Sequence, residues 1–176
     1  MKIGPQGYFT PERLASRKKE QLPPVLFHWT GSLNTALKIL SDGALKGNPG
    51  ISTSENPAFG TPGPVVFVLS PSAILAKGLT LWPYIYGRGY EGEAEWYVAH
   101  ALAMQERNGI ILTPPIRLPL RGVVRMIGYK SFWKREEYRW KVRALRLAAQ
   151  QAGINVRLFE WWKWWKDGLA IPKNPH

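Results

Sequence analysis

A short apolar run near the middle of the chain constrains the fold most strongly. The run Val65–Leu69 contains only apolar residues, is rich in β-branched valine, and lies between Pro64 and Ser70. A continuous apolar segment of this length, bounded by turn residues, is typical of a strand that is buried on both faces. The sequence therefore predicts a central strand, which needs partner strands at its sides and packed layers on its faces.

The residues before this run predict a strand followed by a helix. Residues 25–29 form a compact β-forming segment directly after two prolines. Ser32 is a typical N-cap, apolar residues then recur at helical spacing up to residue 40, and Gly43 is a typical stop. The stretch 47–57 is rich in turn residues, so its hydroxyl groups are expected in a loop or at the end of a short strand.

The residues after the run predict a lid, a helix and further strands. Residues 78–92 combine glycine, proline and aromatic residues, which suits a loop that folds over a ligand. Strong helix formers follow Val98, and the Asn108-Gly109 dipeptide is a stop signal, so a helix is expected between them. Three later segments have the composition of strands, at residues 110–112, 116–118 and 123–127.

Positive charge is concentrated in the last third of the chain. The net charge is +12; residues 1–115 hold 10 Lys and Arg against 8 Asp and Glu, whereas residues 116–176 hold 14 against 4. Six of the nine tryptophans also lie in this third. Interleaved basic and aromatic residues can bind nucleic acid, because the basic side chains pair with phosphates and the aromatic rings stack on bases. An amphipathic helix is predicted over residues 134–151. The arginines on its basic face are the predicted nucleic-acid-binding residues: Arg135, Arg139, Arg143 and Arg146. The alternative is a helix that packs on the main domain and exposes a solvated cationic face.

The composition makes several other classes of protein improbable. The absence of cysteine excludes disulfides and thiolate metal sites, and the three histidines have no metal-ligand spacing, so no metal is predicted. No apolar run is long enough to cross a bilayer, so no membrane association is expected. The N-terminus lacks the apolar stretch of a secretory signal, and a cytoplasmic location is expected.

Three polar motifs are candidates for chemistry: His28-Trp29-Thr30, Ser52-Thr53-Ser54 and Glu93-Ala94-Glu95. Two glutamates at positions i and i+2 face the same side of an extended segment, whereas on a helix they diverge by roughly 200°. His28 and Thr30 alternate in the same way and offer donors and acceptors to ribose hydroxyls. Cleavage of an N-glycosidic bond develops positive charge on the ribose, which a nearby carboxylate stabilises. Taken singly, each motif also suits a purely structural role.

The order and spacing of these motifs resemble the ADP-ribosyltransferase superfamily over roughly residues 25–98. The resemblance implies an α+β fold of two small packed β-sheets with flanking helices, in which NAD is the substrate and a glutamate promotes transfer of ADP-ribose. It implies that Glu95 is the catalytic glutamate and that Glu93 helps to activate the acceptor. The residues that would bind NAD, including the aromatic residues that would stack on nicotinamide, are His28, Thr30, Ser52, Thr53, Ser54, Phe59, Tyr84 and Tyr86.

The chain departs from the usual members of that family in a specific way. Members with His-x-Thr usually carry a tyrosine pair where this chain has Ser-Thr-Ser, members with Ser-Thr-Ser usually begin with arginine, and Trp29 occupies a place often held by glycine. The chain therefore combines features of two groups, which leaves open whether Ser52, Tyr84 or Tyr86 contacts NAD.

The leading hypothesis is an NAD-dependent mono-ADP-ribosyltransferase that modifies a macromolecular acceptor, either a protein or a nucleic acid, as a bacterial or phage effector does. We expect an N-terminal arm (1–24), an ADP-ribosyltransferase-like domain (25–130) and a basic, Trp-rich helical extension packed on it (131–176). One alternative is a non-enzymatic nucleic-acid-binding or phage assembly protein. Another is a nuclease that uses His28 and Glu95 as acid and base.

Overall fold

A seven-stranded sheet forms the centre of the fold. The computed structural model describes residues 2–3, 7–8, 22–47, 50–55, 63–85, 94–100, 105–107, 110–112, 115–130 and 135–160. In spatial order the strands of this sheet are β13 (Arg157–Glu160), β12 (Val124–Tyr129), β6 (Val65–Leu69), β3 (Leu26–Thr30), β5 (Ile51–Ser54), β8 (Ala94–His100) and β7 (Leu79–Ile85). Neighbouring strands are antiparallel, except that β12 and β13 are parallel.

Helices and two-stranded ribbons complete the described structure. The helices are α1 (Leu33–Asp42), α2 (Pro71–Ala76) and α3 (Arg135–Gln151). The ribbons pair β1 (Lys2–Ile3) with β2 (Gly7–Tyr8), β4 (Ala44–Gly47) with β11 (Ile116–Pro119), and β9 (Gln105–Arg107) with β10 (Ile110–Leu112). The predicted α+β class is confirmed.

The predicted strand and helix around the central run are confirmed. Every residue of β6 is buried, and β6 lies between β3 and β12. The hydroxyl of Ser32 accepts a hydrogen bond from the main-chain N–H of Thr35 and so caps the first turn of α1. Gly43 ends α1 with a φ of 64°, a left-handed conformation that glycine adopts without strain.

The two faces of the sheet bury different apolar clusters. On one face, Leu26 and Phe67 pack with Leu40 of α1 and Leu145 of α3. On the other face, residues of β3, β6, β12 and β13 form a second cluster: Val25, Phe27, Val66, Val68 and Phe159, with Trp29 and Met126 against it. This alternation fixes which side chains of β3 and β5 share a face.

Two strands of the C-terminal third, β12 and β13, belong to the same sheet as the central strand. The predicted amphipathic helix is confirmed as α3, whose buried residues Leu145 and Ala149 join the core. The chain then returns as β13, which pairs in parallel with β12. The basic third is thus structurally continuous with the sheet as far as Glu160, while the boundary proposed at residue 130 stays a prediction.

Two sequence predictions are wrong in the described regions. The helix expected after Val98 is not formed there, because β8 continues to His100 and residues 105–107 form β9. Cross-strand pairing with β7 outweighs the helix propensity of this alanine-containing segment. The predicted lid is a strand over Leu79–Ile85. The remainder of the expected lid lies outside the described residues.

Candidate functional site

The sheet brings parts of all three polar motifs onto adjacent strands. His28 lies on β3, Ser52, Thr53 and Ser54 form most of β5, and Glu95 lies on β8. These strands are neighbours in the order β3-β5-β8. Residues separated by dozens of positions in sequence therefore lie within two strand spacings of each other.

The contact between β3 and β5 is narrow, and His28 bridges it. Within the described strands, Phe27 opposite Ser54 is the one register pair that joins β3 to β5. The imidazole Nδ1 of His28 lies 2.9 Å from the main-chain oxygen of Ser52. Because a carbonyl oxygen only accepts hydrogen bonds, Nδ1 carries the ring proton and donates a hydrogen bond to the main-chain oxygen of Ser52. The imidazole thus takes the place of main-chain pairing where the two strands separate.

The surroundings of His28 favour its neutral form. Burial lowers the pKa of His28 below its ordinary value, and the hydrogen bond to the Ser52 main-chain oxygen opposes part of this effect. With Nδ1 protonated in the neutral ring, Nε2 has a free lone pair. At neutral pH, His28 can therefore accept a hydrogen bond from a hydroxyl or amide group of a ligand.

Glu95 occupies an extended position between two strands. On one side it lies opposite Ser54 of β5, and on the other side opposite Tyr84 of β7. The sequence left open whether Glu95 belongs to a strand or a helix, and the structure assigns it to a strand. Glu93, the other glutamate of the motif, lies outside the described residues.

Trp96, next to Glu95, is held by two side chains of the β5 segment. The Thr53 hydroxyl donates a hydrogen bond to the main-chain oxygen of Trp96, at 2.6 Å. The indole N–H of Trp96 donates to Oε2 of Glu55, at 3.1 Å. Trp96 is also buried in the main core. Together these interactions fix the backbone of β8 immediately beside Glu95.

The hydroxyl groups predicted to bind NAD have different environments. Ser52 is exposed, whereas Thr53 and Ser54 are buried. Strand alternation sets Thr53 on the same face as the core residue Ile51, with Ser52 and Ser54 on the opposite face. Thr30 is buried, and its hydroxyl donates a hydrogen bond to the main-chain oxygen of Val65, with 3.2 Å between the two oxygens. Ser52 is therefore the most accessible of the four predicted hydroxyls.

The aromatic residues predicted to stack on nicotinamide are described only in part. Tyr84 lies on β7 opposite Glu95. Phe59 and Tyr86 lie outside the described residues.

Sequence reasoning missed the roles of Glu55 and Trp96. Glu55 follows the Ser-Thr-Ser motif directly, and Trp96 follows Glu95 directly. The position of Glu55 and Trp96 next to a motif was only a weak signal. The contact between these two residues depends on the β5–β8 register, which no short-range pattern encodes. Both residues act on the position of the polar motifs rather than as candidates for chemistry.

The predicted basic face of the C-terminal helix is present on α3. Arg139, Arg143 and Arg146 are exposed, and α3 begins at Arg135. A cavity of about 560 Å³ lies against this helix and is lined in part by Arg139, Arg143, Arg146 and Tyr138. Among the described residues, no carboxylate forms a salt bridge with any of these three arginines. The three arginines thus form an exposed cationic group on α3.

The described residues contain neither a metal-binding cluster nor a helix suited to a membrane. No three histidine or acidic side chains in that part of the chain are grouped as metal ligands would be. None of the described helices combines the length and the apolar character that a membrane span needs. No protein-family model matches the chain, and no curated protein matches it in sequence. The function must therefore be inferred from the site itself.

Proposed function

We propose that the protein is an NAD-dependent mono-ADP-ribosyltransferase that modifies a macromolecular acceptor. Glu95 is the proposed catalytic glutamate, and Glu93 is proposed to help activate the acceptor. The observation that carries the proposal is the strand order β3-β5-β8, which makes neighbours of the His28, Ser-Thr-Ser and Glu95 segments. The family resemblance is confined to short motifs, and an independent spatial association of those motifs strengthens it.

The division of the sheet also supports the proposal. In the described strands, the groups β13-β12-β6-β3 and β5-β8-β7 are joined by one register pair, Phe27 and Ser54. In the superfamily, NAD occupies a cleft between two small sheets. We propose the narrow junction between β3 and β5, which the His28–Ser52 hydrogen bond spans, as the counterpart of such a cleft.

The side chains near the junction suit the cleavage of the bond between ribose and nicotinamide. Breaking the bond between ribose and nicotinamide produces an oxocarbenium-like transition state, which a carboxylate stabilises electrostatically. Glu95 would supply that carboxylate. The register pairs Phe27–Ser54 and Ser54–Glu95 place positions 52, 54 and 95 on one face of the sheet, so the exposed Ser52 hydroxyl would contact the sugar beside Glu95. His28 alternates with Phe27 and lies on the other face, where its neutral Nε2 would accept a hydrogen bond from a part of the ligand that crosses the junction between β3 and β5. No metal ion is required for this type of transfer.

The hydrogen bonds of Trp96 hold the main chain next to Glu95 in place. A catalytic group is effective when its position varies by less than about 0.5 Å, which demands support from neighbouring residues. The hydrogen bonds from Thr53 and to Glu55 supply such support at the residue after Glu95. Thr53 and Glu55 are therefore positioning residues in the proposed enzyme.

The test is transfer of labelled ADP-ribose from NAD to protein, RNA and DNA acceptors. The wild-type protein should release nicotinamide and label at least one acceptor, whereas Glu95→Gln should do neither. Asp42→Asn is a matched control, because it also converts a carboxylate to an amide, and Asp42 lies on α1, outside both the proposed site and α3. Glu93→Gln should lower acceptor labelling more than nicotinamide release, since its proposed role concerns the acceptor.

Three outcomes would contradict the proposal. The first is a wild-type protein that neither binds NAD nor releases nicotinamide. The second is equal activity of the wild type and Glu95→Gln. The third is cleavage of RNA or DNA without NAD that is lost in His28→Ala, which would favour the nuclease alternative.

A further inference from the structure

Helix α3 presents a line of arginines beside exposed apolar side chains. Arg139, Arg143 and Arg146 are exposed on one side of the helix. Trp140 is 56% exposed and Leu147 is 53% exposed, and their i, i+7 spacing aligns them along a neighbouring stripe. The buried residues Leu145 and Ala149 face the opposite way, into the core. The cationic and apolar stripes are therefore outside the packed interface of α3.

Large exposed apolar residues on an otherwise polar helix need an explanation. Trp140 contributes nothing to the core clusters of the described structure, and its indole is mostly in contact with solvent. Aromatic residues beside arginines form the usual platform on which unpaired bases stack. A helix that only had to cover the core would need neither the exposed tryptophan nor the exposed arginines at these positions.

From these features we infer that the outer face of α3 binds a single-stranded nucleic acid. The guanidinium groups of Arg139, Arg143 and Arg146 contact consecutive backbone phosphates, and Trp140 stacks on a base. This inference names the class of partner for the proposed transferase; the binding itself does not depend on NAD or on Glu95.

The dimensions of the arginine line agree with a phosphate backbone. With a rise of about 1.5 Å per residue, Arg139 and Arg146 are separated by about 10 Å along the helix axis. A nucleic-acid strand presents one charge per about 3.4 Å of duplex axis, so three long side chains over this distance can reach successive phosphates. Arginine is suited to this role because its planar guanidinium can donate two parallel hydrogen bonds to a phosphate.

The charge around the helix also favours a polyanion. The segment from residue 116 to the end holds 14 Lys and Arg against 4 Asp and Glu. On α3, Glu137 is already paired with Lys141 at 3.0 Å. The cavity of about 560 Å³ against Tyr138 and the arginines gives the backbone a concave surface rather than a flat one.

The experiment measures binding of a fluorescent 12-nucleotide single strand to the full-length protein, without NAD, at several salt concentrations. The double variant Arg139→Glu/Arg143→Glu should bind at least tenfold more weakly. Replacing the same residues by glutamine should lower the slope of log affinity against log salt by about 1.4, since each lost phosphate contact removes about 0.7 for a single strand. The control Lys77→Glu/Arg121→Glu makes the same change in net charge at exposed positions on other elements and should change the affinity less than threefold.

Trp140→Ala tests the stacking contact separately. Loss of one stacked base should weaken single-strand binding on the order of tenfold, with no change in the salt slope, because no phosphate contact is lost. The preference for single-stranded over double-stranded nucleic acid should also decrease. Thermal unfolding of each variant checks that the fold is retained.

Several results would overturn the inference. Equal weakening by the α3 double variant and by its charge-matched control would assign binding to net charge alone. Equally effective competition by poly-glutamate or by vesicles with anionic lipids would show that the surface does not select nucleic acid. A failure to bind would leave NAD turnover unaffected, whereas failure of the transferase proposal would leave strand binding intact, so the two proposals can fail independently.

Discussion

The Thr53 hydroxyl donates a hydrogen bond to the main-chain oxygen of Trp96 across 2.6 Å. This buried contact joins the middle of the Ser-Thr-Ser motif to the residue that follows Glu95. The indole of Trp96 in turn donates to Glu55, so the two strands are linked by side chains as well as by main-chain pairing. The structure thus connects two sequence motifs through Trp96 and through the hydroxyl of Thr53, a residue that was predicted to bind NAD.

Removing the Thr53 hydroxyl should destabilise the protein and disturb the site. Thr53→Val keeps the shape of the side chain but deletes the donor, and we expect a loss of about 1 kcal/mol in the free energy of unfolding. Nicotinamide release should fall in parallel, because the strand beside Glu95 loses a support. Urea unfolding and NAD turnover measure the two effects.

Ser52→Ala is the matched control for stability. Ser52 is exposed, so its hydroxyl should contribute no more than about 0.5 kcal/mol to folding. Equal stability of the two variants would argue against the structural role of Thr53.

His28 should make the stability of the protein depend on pH. Burial lowers the pKa of His28 from its ordinary value of 6.5, so the folded state keeps the ring neutral while the unfolded state takes up a proton. The contribution is complete above about pH 6.5 and is lost as the pH falls below that value toward the lowered folded-state pKa. Urea unfolding at pH 7.5 and pH 5.5 should show this loss.

His28→Gln should reduce that pH dependence, because glutamine can still donate to the Ser52 main-chain oxygen but does not titrate. The difference in stability between pH 7.5 and pH 5.5 should therefore be smaller in the variant than in the wild type. An unchanged difference would mean that His28 does not carry the effect.

Truncating a leucine on the buried face of α3 should cost much more stability than truncating one on its exposed face. Leu145 is fully buried, so Leu145→Ala should cost about 2–5 kcal/mol of stability. Leu147 is two residues further along and 53% exposed, so Leu147→Ala should change stability by less than about 0.5 kcal/mol. Denaturant titration of both variants checks this orientation, which similar losses would contradict.

Gly128 should tolerate no larger side chain. A methyl group there would lie 2.7 Å from Cζ of Phe159 on β13 and 2.7 Å from a methyl group of Val66 on β6. Gly128→Ala should therefore destabilise the protein by about 1–3 kcal/mol. Gly31→Ala is the control, because no atom lies within 4 Å of its added methyl group. Full stability of Gly128→Ala would argue that β13 does not pack against β12 as described.

Local sequence signals predicted the elements that depend on local chemistry. The apolar run gave the central strand, the Ser32 cap and Gly43 delimited α1, and helical periodicity identified α3. These predictions succeeded because capping, glycine conformation and burial on one or two faces each leave a mark within a few residues.

The remaining features depended on long-range pairing. The segment after Val98 has helix formers, yet Ala99 and His100 pair with β7 and Gln105–Arg107 pairs with β10. The motifs were predicted from sequence, but their order across the sheet, the bridge from His28 to Ser52 and the support of Trp96 by Glu55 required the tertiary register. Such contacts join residues 24 to 41 positions apart, beyond the range of any local pattern.

The central claim is that Glu95 promotes cleavage of NAD rather than its binding. The most direct measurement compares NAD affinity and nicotinamide release for the wild type and Glu95→Gln in the same buffer. We expect that NAD affinity changes little while the rate of nicotinamide release falls by about 100-fold or more, because a contact made in the transition state is removed. Equal rates of nicotinamide release in the two proteins would contradict it.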